Sequence, residues 1–519
     1  MKRLVFSRLP LALALACAAY VGLPHSTAVG AERAEVLAAV HSITSDEAKG
    51  FIDTLADDSF EGREAGSRGG RAAGNLLMKE FERHGLTPAG DGKTYFQLFH
   101  GHSRNILGLL EGSDPELKHE VVLIGAHYDH VGYGRVTNSF GPFGYVHNGA
   151  DDNASGVAGL LEIAAAMQQL PTAPRRSVLF VFWDAEEQGL LGSQHWLAHS
   201  TLAGSRVVAA INMDMIGRLR GSRLEVYGTR TSTHLRRIVS QANRETGLAL
   251  DFNWKMKADS DHWSFYTRSI PILMFHTGLH ENYHRPSDDT HTINNEGVAS
   301  VARVAFLTVL GLANRSAAPQ FREAARREHA GVQAQLEQPV APQGPRFGMP
   351  LTVEGNPPRF ILQGVNPGSP AETAGLRAGD QLLALNGAAI ENEARLRLDL
   401  LAAAGEVVFT IQRADTDLPL VVKVTPAGTP IRIGITWRAD DAEPDTVLLT
   451  QVVYGSPAHV AGLAVRDRIY AVGGQRFAGS EGFSRLIATA PGEVEFEVET
   501  SGRLRTIALE LAEAAAPAN

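Results

Sequence analysis

The sequence predicts an α/β protein, a mostly parallel sheet sandwiched by helices, followed by two small β-rich domains. Three observations predict it. Short runs dense in Val, Ile, Leu and Phe alternate with helical segments: Val121–Ala126, Val178–Trp183, Val207–Met213 and Ile270–Phe275. Strands of that kind are buried on both faces, as in a parallel sheet. Each run is followed by ionisable side chains, which places them at one rim of the sheet. Near the C-terminal end, Gly368–Leu376 reappears as Gly455–Leu463, 87 residues on (369 and 456). That period is too long for a solenoid and suits two small domains in tandem.

Taken in order, the chain opens with Lys2, Arg3 and Arg8 before the apolar Leu9–Val21. The run is short for a membrane span, and Val29-Gly30-Ala31 is an A-x-A-type cleavage signal, so 1–31 reads as a secretory signal peptide. An alternative start is Cys17, the single cysteine, read as a lipoprotein box; Ala14 fits that box poorly. The expected location is periplasmic or secreted, with no transmembrane segment in the mature chain. Cleavage at Ala31 leaves no thiol for disulfides or metal.

Residues 32–313 carry the α/β pattern, beginning with Leu76, Leu77, Ala73 and Phe81 at helical spacing and a stop at Gly85. Val157, Leu160, Leu161 and Ala164 mark one helix, and Val298–Ala313 closes the region. A Pro-, Gln- and Ala-rich linker follows at 314–345, then the two repeats at 346–427 and 428–514. The net charge is −9. A mildly acidic chain without a long basic run excludes nucleic-acid binding as a main function, because phosphate neutralisation dominates that affinity.

The chemistry lies at the ends of the runs: His127-Tyr128-Asp129-His130, Asp151-Asp152, Asp184-Ala185-Glu186-Glu187, Asp214 and Tyr283-His284. Clustered carboxylates raise one another's pKa unless a cation joins them. Two imidazoles among carboxylate oxygens suit zinc, with manganese or cobalt as alternatives. Of the pair Glu186-Glu187, one can bind metal while the other accepts a proton, help worth about 10²–10⁴ in rate. Asp151 and Asp152 compete for the bridging position, and His130, His147, His262, His276, His280 and His291 read as surface, packing or substrate-rim histidines. The Gly- and aromatic-rich stretch Val131–Asn148 reads equally as a cover over the site or a surface insertion.

These stretches, with Gly149–Gly156 and Glu61–Gly66, resemble the co-catalytic zinc exopeptidases that include bacterial leucyl aminopeptidase and glutamate carboxypeptidase II. The resemblance covers about Ser45 to Ala313. It implies two Zn²⁺, one held by His127, Asp214 and Asp152, the other by Glu187, His284 and the bridging Asp152. It also implies Glu186 as general base, Asp129 orienting His127, and Tyr283 donating to the oxyanion. The implied activity is aminopeptidase on peptide substrates. Carboxypeptidase, dipeptidase and glutaminyl cyclase are alternatives on the same fold, as is a catalytically silent binding protein. A carboxypeptidase would need cations for a substrate carboxylate, for which Arg218, Arg220, Arg223 and Arg285 are candidates.

Each repeat opens with Arg-apolar-Gly-apolar, Arg346-Phe347-Gly348-Met349 and Arg432-Ile433-Gly434-Ile435. With the Ser-Pro-Ala stretch after it, each resembles a bacterial PDZ domain. The resemblance implies that Phe347, Gly348, Met349 and Ile433, Gly434, Ile435 cap grooves for protein C-termini or partner peptides. The roles left open are tethering substrates, gating the site and rigid spacing.

Overall fold

The computed structural model describes residues 25–340, 345–403, 405–428 and 432–511. Cys17 and the apolar Leu9–Val21 run lie outside the described residues, and position 31 falls within the first helix, α1 (His25–His41). The large N-terminal region carries β1 (Thr87–Pro88), β2 (Phe96–Phe99), β3 (Ser103–Leu110), β4 (Glu120–His127), β5 (Ser177–Trp183), β6 (Arg206–Met213), β7 (Arg223–Tyr227), β8 (Ala249–Asn253) and β9 (Ile272–His276). They form one sheet in the order β1-β3-β5-β4-β6-β9-β7-β8, with β2 on β3. The central strands β5, β4, β6 and β9 are mutually parallel, while β3 and β7 join antiparallel. The sheet is therefore parallel where the ligands emerge and mixed toward its edges.

Strand alternation sorts the apolar runs onto two faces. Val122, Ile124, Phe180 and Phe182 point to one core, shared with α2 (Ser45–Leu55), α3 (Arg68–Arg83), α4 (Gly156–Gln168) and α8 (Asn295–Asn314). Val121, Leu123, Leu179, Val181 and Trp183 point to the other, covered by α5 (Leu191–Ala198) and α7 (His262–Thr267). The outer helix α6 (Leu235–Ala242) packs on α8. Helix α8 starts at Asn294, whose side chain accepts from Gly297 N–H. It is long and apolar enough to cross a membrane, yet most of it is buried in this core.

The linker is docked rather than loose. Tyr266 and Phe321 meet edge-on, and Arg322 joins Glu328 beside Arg230. Its helix α9 is Ala330–Glu337.

The first repeat forms a sheet of β10 (Leu351–Glu354), β11 (Arg359–Leu362), β12 (Gln381–Leu385), β13 (Ala388–Ala389), β14 (Val407–Gln412) and β15 (Leu420–Val424), with α10 (Pro370–Thr373) and α11 (Glu393–Ala402). The second has β16 (Ile435–Asp440), β17 (Glu443–Val452), β18 (Arg468–Val472), β19 (Glu493–Thr500) and β20 (Arg503–Glu510), with α12 (Pro457–Val460) and α13 (Gly479–Thr489).

The second repeat is fastened to the large α/β domain. Arg230 lies between Glu328 (2.7 Å) and Asp440 (2.9 Å), with its guanidinium stacked over Trp254. Arg236 pairs with Glu499 at 2.7 Å, and Arg237 and Arg244 share Glu497. Main chains meet too: Leu250 N–H donates to Ser501 O at 2.8 Å. Next to it Gly502 adopts φ +77°, and a Cβ there would stand 2.3 Å from Leu250 Cγ, so only glycine fits. Desolvated ion pairs add little net stability, but removing one partner typically costs about 3–5 kcal/mol.

Glu443 is buried at this junction. Burial, only partly offset by Arg468, pushes its carboxyl from 4.5 up to about 8. The unfolded chain thus releases this proton near pH 4.5 and the folded chain near pH 8, so stability falls as pH rises through that window. Glu443→Gln is expected to remove roughly 2–4 kcal/mol of this decline. Denaturation midpoints at pH 5 and 8.5 check it; an undiminished decline in the variant rules out Glu443 as the source.

Candidate metal centre

Four parallel strands deliver the site. His127 ends β4, Glu186 and Glu187 follow β5, Asp214 follows β6, and the segment after β9 brings Tyr283 and His284. Asp152 comes from the loop before α4. His127 Nε2 lies 3.3 Å from Asp152 Oδ1 and 3.4 Å from Asp214 Oδ1. On the other side of Asp152, Oδ2 is 3.1 Å from His284 Nε2, which is itself 3.1 Å from Glu187 Oε2. Asp152 thus turns one oxygen to each cluster, and Asp151 does not.

These spacings fit the metal that the donor set suggests. Ligands at about 2.0–2.1 Å from a tetrahedral zinc stand about 3.3–3.4 Å from one another. Asp152 Oδ2 is buried without a hydrogen bond of good geometry, an oxygen that a cation would satisfy. His127, Asp152 and Asp214 form one group able to hold an ion; His130, Asp152, Glu187 and His284 form the other.

The supporting contacts fix which ring nitrogen is free. His127 Nδ1 lies 3.1 Å from the main-chain carbonyl of Asp129, and His284 Nδ1 lies 3.0 Å from Asn138 O. Donation there leaves each Nε2 lone pair facing the carboxylates. The expected role of Asp129 changes accordingly: its carboxylate is 3.9 Å from His127 Nδ1, too far for a hydrogen bond. It accepts instead from the N–H groups of Glu186 (3.0 Å) and Glu187 (3.4 Å), and so sets the loop that carries both glutamates.

Asp288 does the same for the bridge, accepting from Asp151 and Asp152 N–H at 3.0 Å each. Asp151 accepts from Gly217 N–H (2.6 Å) and meets His280 Nε2 at 3.0 Å. Arg63 is fully buried and donates to the carbonyls of Leu55, Tyr128, Asn148 and Gly149. Gly149 has φ +57°, and a Cβ there would lie 2.2 Å from Asp152 O and 2.6 Å from the His130 ring.

The charges are strongly coupled. Burial alone would lower His127, but Glu186 and Asp214 raise it well above the usual imidazole value. Burial disfavours ionised Asp152, yet His130, His127 and His284 hold it well below the usual carboxylate range. Burial and the neighbouring carboxylates push the Tyr283 hydroxyl up, so it stays protonated and able to donate. Its ring lies against His284, with centroids 4.0 Å apart. Glu186 lines the cleft but belongs to neither ligand group.

The sequence reading missed His130. Its ring is buried, with Nδ1 2.9 Å from Glu187 Oε1, the oxygen turned away from His284. His147 supports the covering loop through Ser139 (2.6 Å), and Ser139 also donates to His284 O. Asp261 is buried against the cleft, with its carboxyl pushed up to about 7 by burial. The aromatic residues Tyr133, Phe140, Phe143 and Tyr145 are exposed, and Phe140 reaches over Tyr283 and His284.

The sheet and the cluster at its rim define a zinc-exopeptidase-like domain with two PDZ-like appendages. Residues 105–309 match peptidase family M28, and residues 362–413 and 448–500 match the PDZ domain. The α/β domain is thus similar to peptidase family M28 over those residues, and the two repeats to PDZ domains. Aminopeptidase YwaD of Bacillus subtilis (strain 168) is 30% identical over 205 residues, 37% of this chain and 41% of that protein. Probable glutamate carboxypeptidase LAMP1 of Arabidopsis thaliana is 33% identical over 114 residues, 21% of this chain and 14% of that protein. The chain spans less than half the length of these curated relatives. The solved Legionella pneumophila LapA aminopeptidase aligns with TM-score 0.47 at 23% identity, covering 55% of this chain and 75% of that one.

His130→Ala would leave Glu187 Oε1 without its partner. The expected result is a 10–100-fold loss of zinc affinity in a folded protein. Zinc titration against a competing chelator reads this directly, and unchanged affinity would show that Glu187 needs no such support.

Proposed function

We propose that this chain is an exported di-zinc aminopeptidase that removes residues from the N-terminus of peptides. The observation that carries the reading is the pair of ligand groups sharing Asp152, with Glu186 free beside them. The matches to proteins named as aminopeptidases point the same way. Export rests on the N-terminal sequence pattern.

His127, Asp152 and Asp214 would hold one ion, and Asp152, Glu187 and His284 the other. Bound there, two zinc ions would supply Lewis acidity at the substrate carbonyl and acidify the attacking water. Glu186 takes the proton from that water and delivers it to the leaving amine. Tyr283, kept protonated by its surroundings, donates to the oxygen on which charge develops. Glu186, Asp214 and Asp259 line the same cleft and favour a substrate's α-ammonium group.

The arginines that a carboxypeptidase would need are occupied. Arg218 donates to Asn282 and Thr292 O, Arg285 to Phe140 O and Gly141 O, and Arg223 pairs with Asp251. Arg220 faces Glu281. Met215, Met274 and Leu279 line the rest of the cleft and suit an apolar first residue.

The test uses zinc-loaded protein and matched peptides, free or acetylated at the N-terminus, followed by mass spectrometry. Single-residue loss from the free set alone is expected. Glu186→Gln should lower kcat by 10²–10⁴ while zinc content stays near two ions per chain. Trimming of both sets from the C-terminus would transfer the enzyme to the carboxypeptidases, and a single bound zinc would favour a cyclase.

A further inference from the structure

Three residues that line the metal cleft, and belong to neither ligand group, sit on segments gripped from outside. They are Tyr227, at the end of β7, and Lys257 and Asp259, in the irregular stretch after β8. That stretch has little to hold it from within. Lys255 N–H donates to Asn253 Oδ1 at 2.9 Å, and Lys257 O meets His262 Nε2 at 3.1 Å. Its firm point is its first residue. Trp254 is buried, and the Arg230 guanidinium lies 3.6 Å over its ring centre, a cation stacked on an aromatic face. Arg230 also stands close to Tyr227 along the chain, across a tight turn. There Thr231 N–H and hydroxyl donate to Gly228 O at 2.9 and 2.7 Å, and the hydroxyl also meets Ile272 O at 3.0 Å.

What holds Arg230 comes from beyond the α/β domain. Its Nε and Nη2 meet the two oxygens of Glu328 in the linker, at 2.8 and 2.7 Å. Its Nη1 meets both oxygens of Asp440 in the second repeat, at 2.9 Å each. Asp440 is fixed within its own domain, accepting from Arg468 at 2.8 Å and from Ala442 N–H at 3.1 Å. Strand β8 is held in the same way: Leu250 N–H donates to Ser501 O, and Asn253 lies opposite Tyr227. Among the described residues, the ion pairs that join a C-terminal repeat to the α/β domain all come from the second repeat. A path of contacts therefore runs from that repeat to the cleft. It passes from Asp440 to Arg230, then by stacking to Trp254 and by the turn to Tyr227, and from Trp254 along the chain to Lys257 and Asp259.

We propose that Arg230 is a positioning residue for the substrate cleft, through which the second C-terminal domain sets the wall of Tyr227, Lys257 and Asp259 that meets the first residue of the peptide. Arg230 itself touches no substrate and acts through Trp254 and Tyr227. Lysine would not serve, because a compact ammonium cannot fork to two carboxylates while lying flat on an indole. The metal ligands and Glu186 are carried by β4, β5, β6, the loop before α4 and the segment after β9, so their geometry does not pass through Arg230. Loosening the wall therefore weakens the hold on the peptide and leaves the chemistry in place. The path stands on its own contacts, and only the peptide at its end rests on the aminopeptidase reading.

The experiment uses the full chain loaded with zinc. Arg230→Met removes the grip but orphans neither carboxylate, since Asp440 keeps Arg468 and Glu328 keeps Arg322. Trp254→Leu leaves both ion pairs in place and cuts the path at the stack. Arg244→Ala removes an exposed pair with Glu497 at the same junction and serves as control. Trypsin cleavage of the native protein after Lys255 and Lys257, followed by mass spectrometry, reads the wall directly. It is expected to be about fivefold faster in Arg230→Met and Trp254→Leu than in the unaltered protein or the control. Cleavage after Lys49 and Lys79, in α2 and α3, should stay the same. With a peptide that begins with leucine, KM is expected to rise about tenfold at similar kcat, the pattern of lost binding. Zinc content should not change. Unchanged cleavage after Lys255 and Lys257 in both variants would overturn the path. Faster cleavage there with an unchanged KM would overturn the wall's part in holding the peptide. A lower kcat at unchanged KM, or cleavage rising equally after Lys49 and Lys79, would reduce Arg230 to a support of the fold and overturn the proposal. Should the unaltered protein cleave no peptide, the aminopeptidase reading fails, and the trypsin result alone decides whether the second domain holds the wall.

Discussion

The α/β domain is organised around a surplus of buried negative charge. Asp129, Asp151, Asp152, Asp184, Asp214, Asp261 and Asp288 are all buried near one rim, with Glu186 and Glu187 beside them. Crowded carboxylates cannot all ionise unless something positive or hydrogen-bonding meets each one. The fold answers mostly with backbone N–H groups. Asp129 takes those of Glu186 and Glu187, Asp184 those of Arg104 and Ala185, and Asp288 those of Asp151 and Asp152. Each supporting carboxylate thereby fixes a neighbouring loop of ligands. The permanent cation beneath them is Arg63, whose fork joins the N-terminal helices to the loops around Tyr128 and Gly149. Burial lowers its pKa to about 10, with Asp152 and Asp288 opposing the fall, and it remains charged. Two divalent ions would complete the balance on the open side.

Much of the architecture could be read from residues, because a strand buried on both faces leaves a short, near-continuous run of β-branched, aliphatic and aromatic residues. The four central strands and α8 announced themselves in this way, and the donors at their ends converge at one rim. The flanking strands β7 and β8 gave no such signal, being short and half-polar at the sheet's far side. Burial of Arg63 was equally hidden, since an arginine is normally a surface residue and its partners here are carbonyls from distant loops. Asp129 was assigned the right partner, His127, but meets it through its carbonyl and not its carboxylate, because the sequence cannot tell a main-chain acceptor from a side-chain one. His130 follows the end of β4, where alternation no longer says which way a ring turns.

The PDZ pair shows how one readable difference can matter. Laying Arg432–Trp437 on Arg346–Leu351 puts Trp437 where the first domain has Leu351. A larger ring at that position reaches Phe483 of α13, while Leu351 lines a cavity of about 430 Å³. Repeat matching emphasises what the two copies share, so it assigned them the same role. The difference lies in the residue that the shared pattern does not constrain.

The Val131–Asn148 loop is tied to the segment that carries His284. Asn138 O accepts from His284 Nδ1, the Ser139 hydroxyl and Phe140 N–H both donate to His284 O, and Arg285 donates to Phe140 O and Gly141 O. A loop fastened on both sides of one ligand cannot shift without moving that ligand's ring. The aromatic side chains on it are exposed, while the backbone beneath them stays fixed by His284. The main chain of this short segment is thus tied to the geometry of His284, while its aromatic side chains stay exposed above it.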